Sequence, residues 1–472
     1  MRFANGGRHR NRGSAFLSTS LLLAAVLSGC GPGYTPEELA EATAQVREAY
    51  YAQDYFYGVE LGEAWASRAP DAVELRAWTV ANLIMTRLDG GEPRRMARGM
   101  VAAHPDSPWS CFALAHAIGW DYPPRNREEA MGAMEKAVAG LPGNPDPLIL
   151  QAELLLRYED RETALAFVDG LEEPMRSNPD IRALTVFHLA PPTVERTDAD
   201  EEHIIKTYEA ILAEHPDHLV ANYGLGRFLM GMEGEEERAR THLEYAASIS
   251  PSPMPHSRLW EHIVQDSDLD AEQRRSKVAE DLRNVLENFP ESPGRWASLA
   301  SDLAWFGFAD LQGELEERIF REHPDSWAAE RVLGARISEF AYEFHSERPF
   351  SPEVFRQESD QLEGMIDEFL AMPDHRNPRR VKDAYWNLFL LEMEKPDRDP
   401  GRLSQLADTW AGYLPQVRDV WADQKCLLGA LSLARDPQTL SAAKSLLAAG
   451  QTEMEKFADD LELQRPGLTE RS

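Results

Sequence analysis

Pro290-Glu291-Ser292-Pro293-Gly294-Arg295-Trp296-Ala297-Ser298-Leu299-Ala300-Ser301-Asp302-Leu303-Ala304-Trp305-Phe306-Gly307-Phe308-Ala309-Asp310-Leu311-Gln312-Gly313-Glu314-Leu315-Glu316-Glu317-Arg318-Ile319-Phe320-Arg321-Glu322-His323-Pro324-Asp325 is the stretch that decides the fold. Trp296, Leu299, Ala300 and Leu303 recur at the spacing of one helix face, and Leu311, Leu315 and Ile319 do so again after a break at Gly307. A proline followed by an acidic residue brackets the unit at each end. Proline cannot continue a helix, so the segment reads as two helices between two stops.

The same punctuation runs along the chain at Pro70-Asp71, Pro105-Asp106, Pro145-Asp146, Pro179-Asp180 and Pro216-Asp217, with Pro251 as a link lacking its acidic neighbour. Successive gaps from Pro70 to Pro324 are 34 to 40 residues. A period of this size predicts stacked helical hairpins, each covering an apolar flank of the next. Ser107-Pro108, Asp146-Pro147 and Ser292-Pro293 each place a side-chain acceptor at an expected N-cap and a proline at the first helical position, where no backbone donor is lost. No run of alternating β-branched residues supports a sheet. The expected class is all-α.

These residues resemble the tetratricopeptide repeat family. Leu225-Gly226 and Leu333-Gly334 stand nine and ten residues after Pro216 and Pro324, Leu114-Ala115 and Leu299-Ala300 carry alanine in the small place, and Trp296 stands where the family has a tryptophan. Ala239, Leu243, Ala246 and Pro251 give the second-helix pattern, and Tyr208, Ile211 and Pro216 a partial copy. The resemblance implies a right-handed superhelical solenoid over residues 37–345. The interval from Pro179 lacks the Leu-Gly pair and holds a long loop from Ala190 to Asp200. Residues 346–472 read as a helical region of degenerate repeats and a cap, with helices at Pro352–Met372, Val381–Lys395, Arg402–Leu414, Val417–Ala434 and Leu440–Leu461.

Residues 1–29 are of another kind. Arg2, Arg8, Arg10 and Arg12 precede an apolar run from Ala15 to Leu27 that is too short to span a bilayer, as expected of a signal peptide. Leu27-Ser28-Gly29-Cys30 resembles the lipobox of bacterial lipoproteins, which implies cleavage between Gly29 and Cys30 and a diacylglycerol on the Cys30 thiol. Residues 30–36 would then be a lipidated linker. Gly31 stands where an inner-membrane retention aspartate would sit, so in a cell with two membranes the periplasmic face of the outer one is expected.

Removing the signal leaves 45 Lys and Arg against 80 Asp and Glu, a formal charge of −35. Nucleic acid is an unsuitable ligand for such a surface, and membrane attachment is expected to rely on the lipid. HExxH, GxSxG, a phosphate-binding glycine loop and paired CxxC are all missing, so no catalytic residue, metal or cofactor is assigned beyond the lipid. His104, His215 and His323 precede the Pro-Asp turn of three repeats, a place explained by the fold. Cys111 and Cys426 stand about 315 residues apart and are not expected to pair.

In the tetratricopeptide family the first helices line the concave face. Carrying the family's outward positions across gives Trp109, Phe112, His116 and Trp120 after Pro105, Tyr223, Arg227 and Met230 after Pro216, Trp305 after Pro290, and Arg331 after Pro324. Exposed aromatic and arginine side chains are the types that anchor peptides. The reading is a membrane-anchored, non-catalytic scaffold that docks other envelope proteins or peptides along this face. The alternative is a glycan- or solute-binding lipoprotein receptor partnering an outer-membrane transporter, which leaves a small-molecule ligand open.

Overall fold

The computed structural model describes residues 33–413 apart from 87–91, 121–125, 190–194, 290, 347–351, 373–374, 376–377 and 396–397, and beyond these only 425–426, 429, 443–444 and 446–449. Among the described residues there is no strand, and the helices pair into ten hairpins. They are α1 (Pro36–Tyr51) with α2 (Tyr55–Ala66), α3 (Val73–Thr86) with α4 (Glu92–Ala103), and α5 (Pro108–Gly119) with α6 (Arg127–Gly140). Next come α7 (Pro145–Tyr158) with α8 (Arg161–Asp169), α9 (Pro179–Leu189) with α10 (Asp198–Glu214), and α11 (Leu219–Leu229) with α12 (Glu236–Ile249). Then follow α13 (Pro253–Gln265) with α14 (Ala271–Asn288), α15 (Pro293–Trp305) with α16 (Ala309–Glu322), α17 (Trp327–Ser346) with α18 (Pro352–Ala371), and α19 (Pro378–Glu394) with α20 (Pro400–Tyr413).

Each expected interval holds two helices, and the hairpins continue past residue 345 without a change of architecture. Helix boundaries follow local chemistry. Ser292 caps α15 through its hydroxyl, which accepts from the Arg295 N–H, and Gly307 ends the helix with a φ of +83° that an L side chain resists. One cap differs from expectation: α7 starts at Pro145 with Asn144 as its N-cap, accepting from the Asp146 N–H. Asp146 is therefore inside the first turn, and its carboxylate is released for other work. His215 and His323 are C-caps at the ends of α10 and α16, in keeping with a place set by the repeat.

Packing explains the small positions. A Cβ on Gly226 would lie 2.9 Å from Leu243 Cγ and 3.1 Å from the Ala239 carbonyl oxygen, so the Leu-Gly pair lets α11 lie directly on α12. Trp78, Trp260 and Trp410 are completely buried, and Trp296 nearly so. Apolar clusters pass from hairpin to hairpin, one running from Val46 to Leu154, one from Tyr223 to Val332 and one from Leu333 to Leu446. Cys111 and Cys426 are each buried and not joined in a disulfide. No described helix is long and apolar enough to cross a membrane. The expected signal peptide, the Gly29–Cys30 cleavage point, the Cys30 anchor and most of the last two expected helices lie outside the described residues.

Candidate functional site

The first hairpin makes side-chain contacts with helices far along the chain. From α1, Arg47 Nε donates to the two Asp146 oxygens on α7 at 3.0 and 2.9 Å, and its Nη2 donates at 2.7 Å. The Tyr51 hydroxyl donates to the same carboxylate at 2.6 Å. The Asp146 carboxylate is 3% exposed, whereas the Arg47 side chain keeps 30% of its surface in contact with solvent. From the residue next to Tyr51, Tyr50 Oη lies 2.7 Å from His116 Nε2 on α5. Burial, followed by the Arg157 charge, lowers His116 to about 3, so the ring is neutral near pH 7.

The connection between α1 and α2 then reaches across to hairpins eight and nine. Arg295 on α15 donates from Nε (2.9 Å) and Nη2 (2.7 Å) to Asp54 Oδ2, and the two side chains are 1% and 3% exposed. Glu60 on α2 receives the Ser292 hydroxyl at 2.6 Å and the Gly294 N–H at 2.9 Å, both from the N-terminus of α15, where the helix favours negative charge. The Phe56 ring stacks on Trp327 with centroids 4.5 Å apart, and the Arg331 guanidinium lies 4.7 Å from the other ring partner's centroid, that of Phe56. A Cβ on Gly294 would meet Trp327 Cζ2 at 2.2 Å and Phe56 Cβ at 2.8 Å, so only glycine lets the ring pair sit over the start of α15. The solenoid thus returns upon its first hairpin seven hairpins later.

Burial acts on the carboxylates of this seam. It raises Asp54, against the opposing pull of Arg295, and it raises Glu60 to about 7, against the hydrogen bonds from Ser292 and Gly294. Further along the interior, Glu153 is raised to about 8 by burial alone, and its carboxylate lies 3.3 Å from His188 Nε2. Burial and then Arg227 lower His188 to about 4, so this contact joins two neutral groups near pH 7.

Of the nine groove positions carried over by resemblance, three meet the first hairpin. His116 bonds Tyr50, Arg331 lies over Phe56, and Tyr223 lines a small cavity with Tyr51 and Gln53. Phe112 is buried in the core beside Trp78 at 5.1 Å, and Trp109 packs on both. Trp120 stacks on His116 and lies under the Arg157 guanidinium. Met230 is partly buried at the contact of two apolar clusters. Arg227 is exposed, with its guanidinium over Phe187. Trp305 is 84% exposed at the end of α15, and Tyr342 on α17 is 76% exposed. These nine do not form one continuous surface.

Asp54, Glu60, Asp146 and Arg295 were missed by pattern reading. The available signal was charge on otherwise apolar helix faces: Glu60 follows Tyr55-Phe56-Tyr57-Gly58-Val59, and Arg295 stands beside the core residue Trp296. Among the described residues one cluster has metal-ligand spacing, Glu291, Glu322 and His323. Arg318 and Arg321 already neutralise Glu322, and His323 meets Glu291, so the group is a surface ion network at an inter-hairpin turn.

No family profile and no curated protein sequence matches the chain. Among solved structures it is similar to a Naa15/Naa10 assembly bound to HypK-THB, at 16% identity over 87% of this chain with a TM-score of 0.28. The chain spans 63% of the length of that matched chain. It is also similar to a human IFIT1 dimer with m7Gppp-AAAA, at 14% identity over 77% of this chain and 83% of that one with a TM-score of 0.30. A monomeric IFIT1 mutant with Gppp-AAAA gives 14% identity over 82% and 89%, with a TM-score of 0.29. The fold class of this chain stands on its own hairpins: an all-α, tetratricopeptide-like helical-repeat solenoid.

Proposed function

We propose that this protein is a lipid-anchored scaffold of the bacterial cell envelope, with no chemistry of its own, that docks other envelope proteins. Cys30 carries the lipid, six residues before α1, and the body stands in the aqueous phase. Confinement to a membrane raises its effective concentration towards membrane-bound partners without an added contact. The outer membrane is the proposed address in a cell with two membranes.

The observation that carries the reading is Trp305. A tryptophan 84% exposed on a first helix of a repeat array offers a large rigid ring to a partner and is among the residue types most enriched in binding hot spots. The receptor alternative has less support, because Trp120 is already engaged by His116 and Arg157. A photo-crosslinking side chain at position 305, introduced in the native envelope, is expected to capture a defined protein that Trp305→Ala no longer retains. Equal recovery with and without Trp305, or saccharide binding with no protein captured, would overturn the scaffold.

A further inference from the structure

The seam between the first hairpin and hairpins eight and nine differs in kind from the junctions between consecutive hairpins. Consecutive hairpins share apolar clusters, whereas no residue of α2 belongs to the cluster that runs from Tyr223 to Val332. The seam instead consists of one buried ion pair, two hydrogen bonds to Glu60 and stacked rings. Its contacts are polar and aromatic, with the Arg295 guanidinium also over the Tyr57 ring. What parting exposes is specific: the Arg295 and Arg331 guanidiniums, the α15 N-terminus with its Ser292 hydroxyl and Gly294 N–H, and the face of Trp327. In a chain of formal charge −31 this is a locally cationic, aromatic patch.

We propose that residues 54–60 are a displaceable internal occupant of a receptor site on α15 and α17. In the open form that site takes a helix of the same chemistry from a partner protein. The recognised helix carries an N-cap aspartate for Arg295, an aromatic ring two positions later for Trp327 and Arg331, and a carboxylate six positions after the aspartate for the α15 N-terminus. The occupant's own chemistry makes the argument, because Asp54, Phe56 and Glu60 show which groups satisfy these donors and this ring. The proposal rests on the scaffold reading and adds to it a partner class and a gate.

The test uses the full mature chain and, as probe, a fluorescent peptide of residues 52–63. Phe56→Ala, with unchanged helical circular dichroism, is expected to bind the peptide at least tenfold more tightly than the wild type. Adding Arg295→Ala is expected to abolish that gain. Asp54→Asn, which keeps the side-chain shape, serves as a second release variant. Failure of both release variants to take up peptide, while hydrogen exchange shows α2 detached, would overturn the site. So would dimers formed by exchange of first hairpins without peptide uptake. Capture of a protein through position 305 with no peptide uptake by either release variant would leave the scaffold standing and overturn this site alone.

Discussion

Replacing Arg295 by leucine isolates the ion pair that closes the array. The guanidinium is 1% exposed, gives two hydrogen bonds to Asp54 and lies 4.9 Å from the Tyr57 ring centroid. Leucine fills part of the volume but leaves a carboxylate buried without its countercharge, and removing one partner of such a pair costs about 3–5 kcal/mol. Asp54 can recover some of this by taking a proton, since burial already raises its pKa. The loss falls on the seam, while α15 keeps its packing through Trp296, Leu299 and Leu303. At about 1.4 kcal/mol per decade, opening of α2 should become roughly a hundredfold or more frequent. Native-state hydrogen exchange resolves this by segment: α2 amides should lose about two decades of protection, while α8, remote from the seam, keeps its own. Asp54→Leu/Arg295→Leu should lose less than Arg295→Leu, because the stranded charge is gone. Unchanged protection of α2, or an equal loss in every hairpin, would refute the reasoning.

Cys30→Ala should leave the helical circular dichroism unchanged and move the protein from the membrane fraction to the soluble one; retention in the membrane would remove the lipid assignment. Seam stability should depend on pH: Glu60 rises from 4.5 to about 7 on burial, so the closed form holds a proton that the open form releases. Closure is then strongest below about pH 4.5 and weakens as pH rises through 7, with Asp54, also raised by burial, acting in the same direction; Glu60→Gln should flatten most of the α2 exchange profile over this range. Gly226→Val should lower stability by about 1–3 kcal/mol in urea titration, because its side chain must displace Leu243 or the backbone at Ala239. Trp305→Ala should change stability by less than about 0.5 kcal/mol, the ring being exposed, while reducing partner capture.

The repeat was legible because it is written locally. Each Pro-acidic turn, each cap such as Ser292 and each small residue such as Gly226 acts on neighbours within one hairpin, and that range is what a period of 34 to 40 residues records. The cap at Asn144 was missed by two residues because Pro145 and Pro147 both suit a first turn. The closure was illegible for the opposite reason: Asp54 meets Arg295 across 241 residues, and no local pattern carries that distance. A regular superhelix keeps such positions apart, so Phe112, His116, Tyr223 and Arg331 read as groove anchors when the first is core and the other three meet the first hairpin. Charge on the apolar faces of α2 and α15 was the one visible trace.

The central claim is that the array returns upon its first hairpin within one molecule, and a photo-crosslinking benzophenone side chain in place of Phe56 tests it most directly. The Phe56 ring stacks on Trp327 with centroids 4.5 Å apart, so the reactive group starts against α17. Irradiation should give a monomer whose peptide map links residue 56 to α15 or α17. Failure to cross-link, or links formed only between molecules, would contradict the closed array.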